Sequence, residues 1–320
     1  MLKKVNTFLK LLIKDRELLK ITFADYFART KVSHIFSDKF YLSLQYKIMM
    51  KKKINWEAPQ MFSEKIQWLK INDRKKQYIN VVDKYEVKKY IKQSLGEEYV
   101  IPTIGIWDKF EDIDLSMLPN EFVMKCTHDS QSVIICKNKE QFNFKLAKKK
   151  IDKCLKKNLF WYGREWPYKF VKPRIIVEKY MKDSSKKELI DYKFFCFNGK
   201  PKYCQVICDR STNETIDFFD MDWEHQEFIG ISSFPNEFKN NKNIIKKPFN
   251  FEKMKEFAYT LAKDTRFVRI DFYEIDGKLY FGEITFYPAS GFGRFEPEIW
   301  DKKLGNMINL NDDQRCCYEK

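Results

Sequence analysis

Residues 266–291 read RFVRIDFYEIDGKLYFGEITFYPASG and show the alternation of polar and apolar side chains that is typical of a β-hairpin. Asp276-Gly277 marks the turn, and each arm carries a central carboxylate, Asp271 before the turn and Glu283 after it. Side chains alternate between the two faces of a strand, so a change of one residue in register moves a whole set to the opposite face. Whether the two carboxylates meet therefore depends on the turn.

Two loop lengths are compatible with this turn. A two-residue loop of Asp276 and Gly277 would pair Ile275 with Lys278 and send the two carboxylates to opposite faces. A three-residue loop that also includes Ile275, with Gly277 in the left-handed conformation of a bulge, would pair Glu274 with Lys278 instead. The hydrophobic pattern favours the longer loop, because only this loop gives the hairpin one continuous apolar face.

The longer loop predicts a division of the hairpin into two faces. The apolar face would consist of Val268, Ile270, Phe272, Tyr280, Ile284 and Phe286. The polar face would consist of Arg269, Asp271, Tyr273, Glu283 and Thr285. In this register Arg269 lies opposite Glu283, and Asp271 is the diagonal neighbour of Glu283.

Diagonal neighbours across a sheet have Cβ atoms about 7–8 Å apart or somewhat less. Such a spacing lets two carboxylates converge on a hard cation with oxygen contacts of about 2.1 Å. The polar face therefore predicts a magnesium site. A simple cross-strand ion pair between Arg269 and Glu283 on a solvated face is the alternative.

Length and composition restrict the class of protein. The chain has 320 residues, of which 44% are hydrophobic and 17% aromatic, so it can bury a large core and is expected to form two or more lobes. Its 60 basic and 45 acidic residues give a net charge of +15. This charge favours anionic partners such as nucleotides, acidic sugars, nucleic acid or a membrane surface.

The eight cysteines contain no C-x-x-C pair and accompany only three histidines, so zinc-site spacing is absent. Their scatter indicates reduced thiols in a cytoplasm, with Cys126, Cys136 and Cys196 as buried small hydrophobes and none as a nucleophile. No apolar run reaches the length of a membrane span, and Lys10 and Lys14 interrupt what a signal peptide would need. The protein is therefore expected in the cytoplasm.

The first twenty residues form an amphipathic pattern in which apolar side chains recur near one helical face: Val5, Phe8, Leu9, Leu12 and Leu19. Docking of this helix on the protein's own core is the favoured interpretation. Peripheral contact with a membrane is the alternative.

The patterns along the chain predict three regions. Residues 1–98 are mostly helical, residues 99–183 form a small lobe, and residues 184–320 form a large lobe that contains the carboxylate hairpin. A lysine-rich helix is predicted at about 139–157, and a second hairpin turns at Asn198-Gly199. Nucleic acid is not an expected partner, because no recognition motif accompanies the lysine runs at 51–53 and 148–150.

Lysines on the small lobe, an acidic residue at a strand end and a carboxylate hairpin are together what ATP held between two sheets would require. Further signposts occur in order along the chain: PQMFSEKIQWLK at 59–70, VDKYEVKKYI at 82–91, LPNEFVMK at 118–125, REWPYK at 164–169, PRIIVEKYM at 173–181, DYKFFCFNGKPK at 191–202, and VRIDFY with GEITFYPASG at 268–291. In this order the sequence resembles the TupA-like ATP-grasp family of bacterial polysaccharide-biosynthesis proteins, from about residue 55 to 305.

The resemblance implies an α+β ATP-grasp fold, with nucleotide bound between the antiparallel sheets of two lobes and a helical extension before them. It matches Lys84 and Lys125 to lysines that approach the nucleotide phosphates. It places adenine beside Glu178 and the following Lys179, Tyr180 and Met181. It implies that Asp191 reaches the ribose hydroxyls and that Lys193 is an extra phosphate contact.

For the chemistry, the resemblance assigns Asp271 and Glu283 as Mg²⁺ ligands, with Thr285 where many relatives have a metal-binding asparagine. Arg269 matches an arginine that stabilises negative charge in the transition state. Lys125 is the second residue that the resemblance implies as catalytic. The implied activity is ATP-dependent amide-bond formation through an acyl-phosphate. The implied substrates are an acidic sugar or glycan carboxylate and a small amine or amino acid, in capsule or cell-wall polysaccharide biosynthesis.

One departure from the family pattern lies in residues 127–132, THDSQS, which lack the glycines usual in the phosphate-binding loop. Asp129 would repel a phosphate unless it points away. Two alternatives to the ligase therefore stay open. A glycosyltransferase could use Asp112-Ile113-Asp114 or Asp220-Met221-Asp222, and a non-catalytic ATP-grasp scaffold would explain the altered loop.

Overall fold

The computed structural model describes residues 30–130, 132–232 and 239–311, which form two antiparallel sheets with helices packed around them. The helices are α1 (Asp38–Met50), α2 (Phe62–Asn72), α3 (Gln77–Val82), α4 (Glu86–Ser94), α5 (Phe144–Leu155), α6 (Phe160–Gly163), α7 (Phe251–Ala262) and α8 (Ile299–Asn306). The amphipathic pattern predicted between Val5 and Leu19 lies outside the described residues. No helix in the described ranges is long and apolar enough to cross a membrane.

The strands divide into a small sheet, a large sheet and a two-stranded ribbon. The small sheet has the order β1-β4-β2-β3, with β1 (Thr103–Trp107), β2 (Phe122–Cys126), β3 (Ile134–Cys136) and β4 (Ile175–Lys179). The large sheet has the order β10-β9-β5-β6-β7, with β5 (Asp191–Phe197), β6 (Lys200–Cys208), β7 (Thr215–Phe219), β9 (Phe267–Ile275) and β10 (Lys278–Thr285). The ribbon pairs β8 (Ile229–Ser232) with β11 (Arg294–Glu296).

The small sheet buries its apolar side chains under the lysine-rich helix α5. Ala147, Ile151 and Cys154 of α5 share a core cluster with Phe122 and Met124 of β2. This helix starts later than predicted, at Phe144, because the side chain of Asn143 accepts a hydrogen bond from the Leu146 N–H and caps its first turn. The two sheets fall within the predicted small and large lobes, and the boundaries at 98/99 and 183/184 stay predictions.

The large sheet is covered on both faces. Met254 and Ala258 of α7 belong to the same core cluster as the central strands β5 and β9. On the other face Phe62 of α2 packs edge-on against Phe267, with ring centroids 4.9 Å apart. The helix α2 is fixed at its N-terminus by the Glu64 carboxylate, which accepts hydrogen bonds from the N–H groups of Gln60 and Met61.

The β5-β6 and β9-β10 hairpins of the large sheet turn through two residues. Asn198 and Gly199 have φ values of 47° and 78°, and Asp276 and Gly277 have 49° and 72°, the left-handed conformations of a type I′ turn. The turn predicted at Asn198-Gly199 is therefore confirmed. The predicted three-residue loop is wrong, because Lys278 pairs directly with Ile275.

A bulge at Gly282 corrects the register that the short turn alone would have given. The ladder shifts between Phe281 and Glu283, so Glu283 lies directly opposite Asp271, and Thr285 lies opposite Arg269. The predicted pairing of Arg269 with Glu283 is therefore wrong. A Cβ atom at Gly282 would lie 3.0 Å from the Asp271 carbonyl oxygen, so the bulge favours glycine.

The same bulge changes one assignment of the faces. Tyr280 pairs with Tyr273 and lies on the polar face, whereas the prediction placed it in the core. Phe281 takes the core position and is 4% exposed. The remaining predicted core residues of the hairpin are buried: Val268, Ile270, Phe272, Ile284 and Phe286.

Candidate active site

Three neighbouring strands place a lysine and two carboxylates in one row across the large sheet. The register pairs Lys193 of β5 with Asp271 of β9, and Asp271 with Glu283 of β10. Because directly opposed residues in a sheet project to the same face, all three side chains share one surface. The carboxylates that the sequence predicted to converge are therefore direct cross-strand neighbours.

Asp271 is the buried centre of this row. The Arg269 guanidinium donates from Nε to Asp271 Oδ1 and from Nη2 to Oδ2, both at 2.7 Å, and Lys193 Nζ also donates to Oδ2. Burial alone would raise the pKa of Asp271, but the charges of Arg269 and Lys193 hold it below its usual value. Asp271 is thus a carboxylate held ionised by two cations.

Glu283 is the more accessible acid, with 37% of its side chain exposed. Its described ion pair is a long contact of 3.7 Å to Arg269 Nη2. The same Nη2 donates to Thr285 Oγ1 at 3.1 Å. Glu283 is therefore partly exposed and only loosely paired, while the Thr285 hydroxyl accepts a hydrogen bond from the arginine.

Another acid, Asp191, lies two residues before Lys193 on β5, where it pairs with Tyr273 of β9. Asp191 is 3% exposed and contacts Lys193 Nζ at 3.1 Å and Arg210 Nε at 3.3 Å. Lys193 thus lies between two carboxylates, Asp191 and Asp271. The predicted contact of Asp191 with a ribose stays a prediction, and Arg210 is a nearby cation that the sequence analysis missed.

The small lobe contributes an ion triad. Glu178 at the end of β4 binds Lys125 of β2 at 2.5 Å and Lys88 of α4 at 2.6 Å. Burial would raise the pKa of Glu178, but the charges of Lys125 and Lys88 hold it below its usual value. Lys88 was not predicted, although it lies only four residues after Lys84 in the segment VDKYEVKKYI.

Lys84 projects from the turn between α3 and α4. Its N–H donates to the Thr127 carbonyl at 3.1 Å, and its ammonium donates to the Asp129 carbonyl. Burial lowers the pKa of Lys84, while the charge of Glu283 in the large lobe opposes this shift. Lys84 therefore contacts the loop at 127–132 and lies near enough to the hairpin for the charge of Glu283 to affect its pKa.

A half-buried arginine fixes the turn that carries Lys84. Arg174 Nη2, just before β4, contacts Asp83 at 2.8 Å and Glu86 at 2.9 Å. Asp83 in turn accepts a hydrogen bond from the Tyr85 N–H at 2.8 Å and caps α4. The turn therefore has a fixed position relative to the small sheet.

The loop that lacks glycines has a buried acidic residue, Asp129. Asp129 is 6% exposed and accepts hydrogen bonds from the Ser132 hydroxyl and from the Ser132 N–H. His128 is buried with its Nε2 near the Cys154 and Lys157 carbonyls, so its ring nitrogen donates to them. The carboxylate of Asp129 thus binds within the loop itself, and its effect on a bound phosphate stays a prediction.

The segment predicted to meet adenine is partly engaged. The Lys179 N–H donates to the Pro102 carbonyl at 3.0 Å, so hydrogen bonds to a base would come from the residues that follow. Tyr180 and Met181 are half-buried. Adenine contact by Glu178 and these residues stays a prediction.

Asp271 and Glu283 suit magnesium that arrives with phosphates. Among the described residues, no group of three or more His, Cys, Asp or Glu side chains could hold a metal ion alone. Mg²⁺ usually takes one or two protein carboxylates together with waters and substrate phosphates. Two opposed carboxylates, one of them only loosely paired, fit that donor set, and the Thr285 hydroxyl as a further metal ligand stays a prediction.

The Asp-x-Asp sequences of the rival glycosyltransferase hypothesis cap turns. Asp114 Oδ1 accepts from the Ser116 N–H at 2.9 Å. Asp220 Oδ1 accepts from the N–H groups of Asp222 and Glu224 at 3.0 and 2.8 Å. These contacts give both sequences a structural role.

Lys70, a fully buried lysine beside the hairpin, was also not predicted from the sequence. Lys70 of α2 donates to Gln67 Oε1 at 2.9 Å, to the Ser290 carbonyl at 2.8 Å and to Ser290 Oγ at 3.0 Å. Ala289 and Ser290 both have left-handed backbones, so Lys70 supports a strained turn after β10. Burial lowers the pKa of Lys70 to about 7, and the charge of Glu165 opposes this shift.

This burial predicts a pH-dependent stability. Between pH 7 and its ordinary pKa of 10.5, Lys70 is neutral when folded and charged when unfolded, so the unfolded state binds more protons and stability rises with pH. The free energy of unfolding of the wild type, minus that of Lys70→Met, should increase by up to about 1.4 kcal/mol per pH unit. Denaturant unfolding at several pH values measures this difference. Unfolding free energies that change in parallel with pH for the wild type and Lys70→Met would contradict this prediction. As a control, the difference between the wild type and Lys76→Met, a change at an exposed lysine, should not vary with pH.

The sequence and the structure of this chain are each similar to those of known proteins. The family model described as TupA-like ATPgrasp matches residues 64–309. No curated protein matches the sequence. Among solved structures, D-alanine–D-alanine ligase from Bacillus anthracis complexed with ATP has 20% identity and a TM-score of 0.39, covering 72% of this chain and 63% of that chain. The L-amino acid ligase from Bacillus licheniformis has 10% identity and a TM-score of 0.44, covering 85% and 62%. The present chain spans less than two thirds of either ligase.

Proposed function

This chain belongs to the TupA-like ATP-grasp family, and we propose that it is an ATP-dependent carboxylate–amine ligase. The observation that carries the proposal is the row of Lys193, Asp271 and Glu283 across three strands, with Arg269 beside it. This row combines acids for a nucleotide-bound cation with cations for phosphate and oxyanion charge. Lys84, just before α4, and Lys125 of the small lobe supply positive charge on the other side of the proposed nucleotide cleft.

The proposed reaction has two steps. A carboxylate oxygen of the substrate attacks the γ-phosphorus of ATP, the bond to ADP breaks, and an acyl-phosphate forms. An amine then attacks the acyl carbon, loses a proton and displaces phosphate, so an amide is left. Both steps concentrate negative charge near the row, and no protein nucleophile is required.

The residues of the site have distinct proposed roles. Lys84, Lys125 and Lys193 bind phosphate oxygens and orient the nucleotide. Arg269 uses Nε and Nη2 for Asp271, so its Nη1 group is the donor left for the oxyanion of the tetrahedral intermediate. Magnesium held by Asp271 and Glu283 together with phosphate oxygens would supply charge neutralisation of the transferring group.

The proposed substrates are an acidic sugar or glycan carboxylate and a small amine or amino acid, in capsule or cell-wall polysaccharide biosynthesis. A chain of net charge +15 suits an acidic substrate. We place the protein in the cytoplasm, with peripheral membrane contact of its N-terminal amphipathic segment as the alternative to docking on the protein's own core.

The proposal is tested by ADP release from ATP and magnesium in the presence of uronic acids combined with amino acids or small amines. ADP release should require both substrates, and the amide product should appear in equal amount by mass spectrometry. Glycan production that persists in cells carrying Asp271→Asn with Glu283→Gln would instead support a non-catalytic scaffold.

A further inference from the structure

Residues 239–250, KNNKNIIKKPFN, form a loop with four lysines and no acidic residue. Its Ile244 and Phe249 are 96% and 89% exposed, the two most exposed large apolar side chains among the described residues. Single exposed apolar residues are ordinary on protein surfaces. Two highly exposed apolar side chains within one short basic loop are not covered by this rule.

Two buried carboxylates hold this loop in place. At its start, Asp217 accepts hydrogen bonds from the Asn241 N–H at 3.0 Å and from the Asn240 side chain at 3.1 Å. At its end, Glu274 accepts from the N–H groups of Phe249 and Asn250 at 3.3 and 2.7 Å. The carboxylates of Asp217 and Glu274 are therefore both used for anchoring.

The middle of the loop is anchored as well. Trp223 Nε1 donates to the Ile245 carbonyl at 3.2 Å, and Ile245 packs against the main hydrophobic core. Pro248 is buried. Ile245 and Pro248 thus face inward, while their neighbours Ile244 and Phe249 project into solvent.

The lysines around these two side chains are available to a partner. Lys247 forms an exposed ion pair with Glu252 at 2.7 Å. Across residues 30–130, 132–232 and 239–311, no carboxylate lies within ion-pair distance of Lys242 or Lys246. The outward surface of the loop therefore combines positive charge with two apolar side chains.

We propose that the 239–250 loop is a docking surface for an anionic lipid membrane, with Ile244 and Phe249 entering the acyl region and the lysines binding headgroups. Lysines alone would suit any polyanion, including nucleic acid or an acidic glycan. Unlike nucleic acid or an acidic glycan, a lipid bilayer also offers an apolar phase for isoleucine and phenylalanine. The Asn250 side chain donates to the Gly277 carbonyl at 2.9 Å, so the loop abuts the turn of the carboxylate hairpin.

The test is flotation of the full chain with vesicles of phosphatidylcholine, with and without phosphatidylglycerol. The wild type should partition onto the anionic vesicles. Ile244→Ser with Phe249→Ser should lower the partition coefficient at least about tenfold. Lys242→Gln with Lys246→Gln should lower it about fivefold per lysine and weaken its salt dependence.

A matched control exists on α5, where Leu146 is 62% exposed between two exposed lysines. Leu146→Ser with Lys145→Gln and Lys149→Gln should leave vesicle binding unchanged, and melting temperatures should show that every variant folds. Loop variants that partition like the wild type would overturn the proposal. So would a wild type that ignores anionic vesicles, or one that binds soluble polyanions with the same dependence on Ile244 and Phe249.

Discussion

Replacing Glu283 by glutamine is expected to lower kcat for ligation by about 10²–10³-fold, which corresponds to losing several kcal/mol of charge stabilisation at the transferring phosphoryl group. The reason is geometric. Glu283 lies opposite Asp271 with 37% of its side chain exposed, and its described ion pair with Arg269 is long at 3.7 Å. The substitution removes a cation ligand without removing a strong contact that stabilises the fold.

The stability of Glu283→Gln should accordingly stay within about 0.5 kcal/mol of the wild type. Initial rates of ADP formation and denaturant unfolding measure the two effects separately. Glu227→Gln, a change at an exposed glutamate, should leave both unchanged. A Glu283→Gln protein with normal kcat would remove this residue from the site, and one with a large loss of stability would assign it to the fold.

Replacing Arg269 by methionine is expected to cost about 3–5 kcal/mol of folding free energy as well as activity, because it leaves a buried carboxylate short of a partner. Asp271 is 2% exposed and takes two hydrogen bonds of 2.7 Å from Arg269, and Lys193 alone would remain to compensate it. In variants that stay folded, kcat should fall by about 10²-fold or more through loss of oxyanion stabilisation.

A double-mutant cycle separates the two contributions. If the cost arises from the uncompensated carboxylate, Arg269→Met with Asp271→Asn should be less destabilised than the sum of the two single variants. Its activity should remain low, because both the guanidinium and the cation ligand are missing. Additive losses of stability would show that the pair is not coupled and would contradict this reading of the contacts.

The hairpin shows how sequence reasoning can reach a correct contact through a wrong route. The meeting of Asp271 and Glu283 followed from the demand for one apolar face, and the structure satisfies that demand with a two-residue turn and a bulge. Gly282 within the strand was the signal for a bulge, since glycine inside a strand often marks one. The alternation pattern alone does not locate the extra residue.

The fold class was predictable for a different reason. The α+β ATP-grasp fold followed from motifs spread over most of the chain, and the family match over residues 64–309 confirms it. Contacts between distant elements were not predictable. Glu178 pairs with Lys88 only because α4 packs beside β4, and Lys70 is buried because α2 packs beside the turn at Ser290.

The account depends on Asp271 and Glu283 jointly holding a nucleotide-bound divalent ion, and titration calorimetry with a non-hydrolysable ATP analogue tests this most directly. Magnesium should tighten binding to the wild type clearly and should have little effect on Glu283→Gln, while the affinity without magnesium stays similar in both proteins. An equal effect of magnesium on the wild type and on Glu283→Gln would contradict the account.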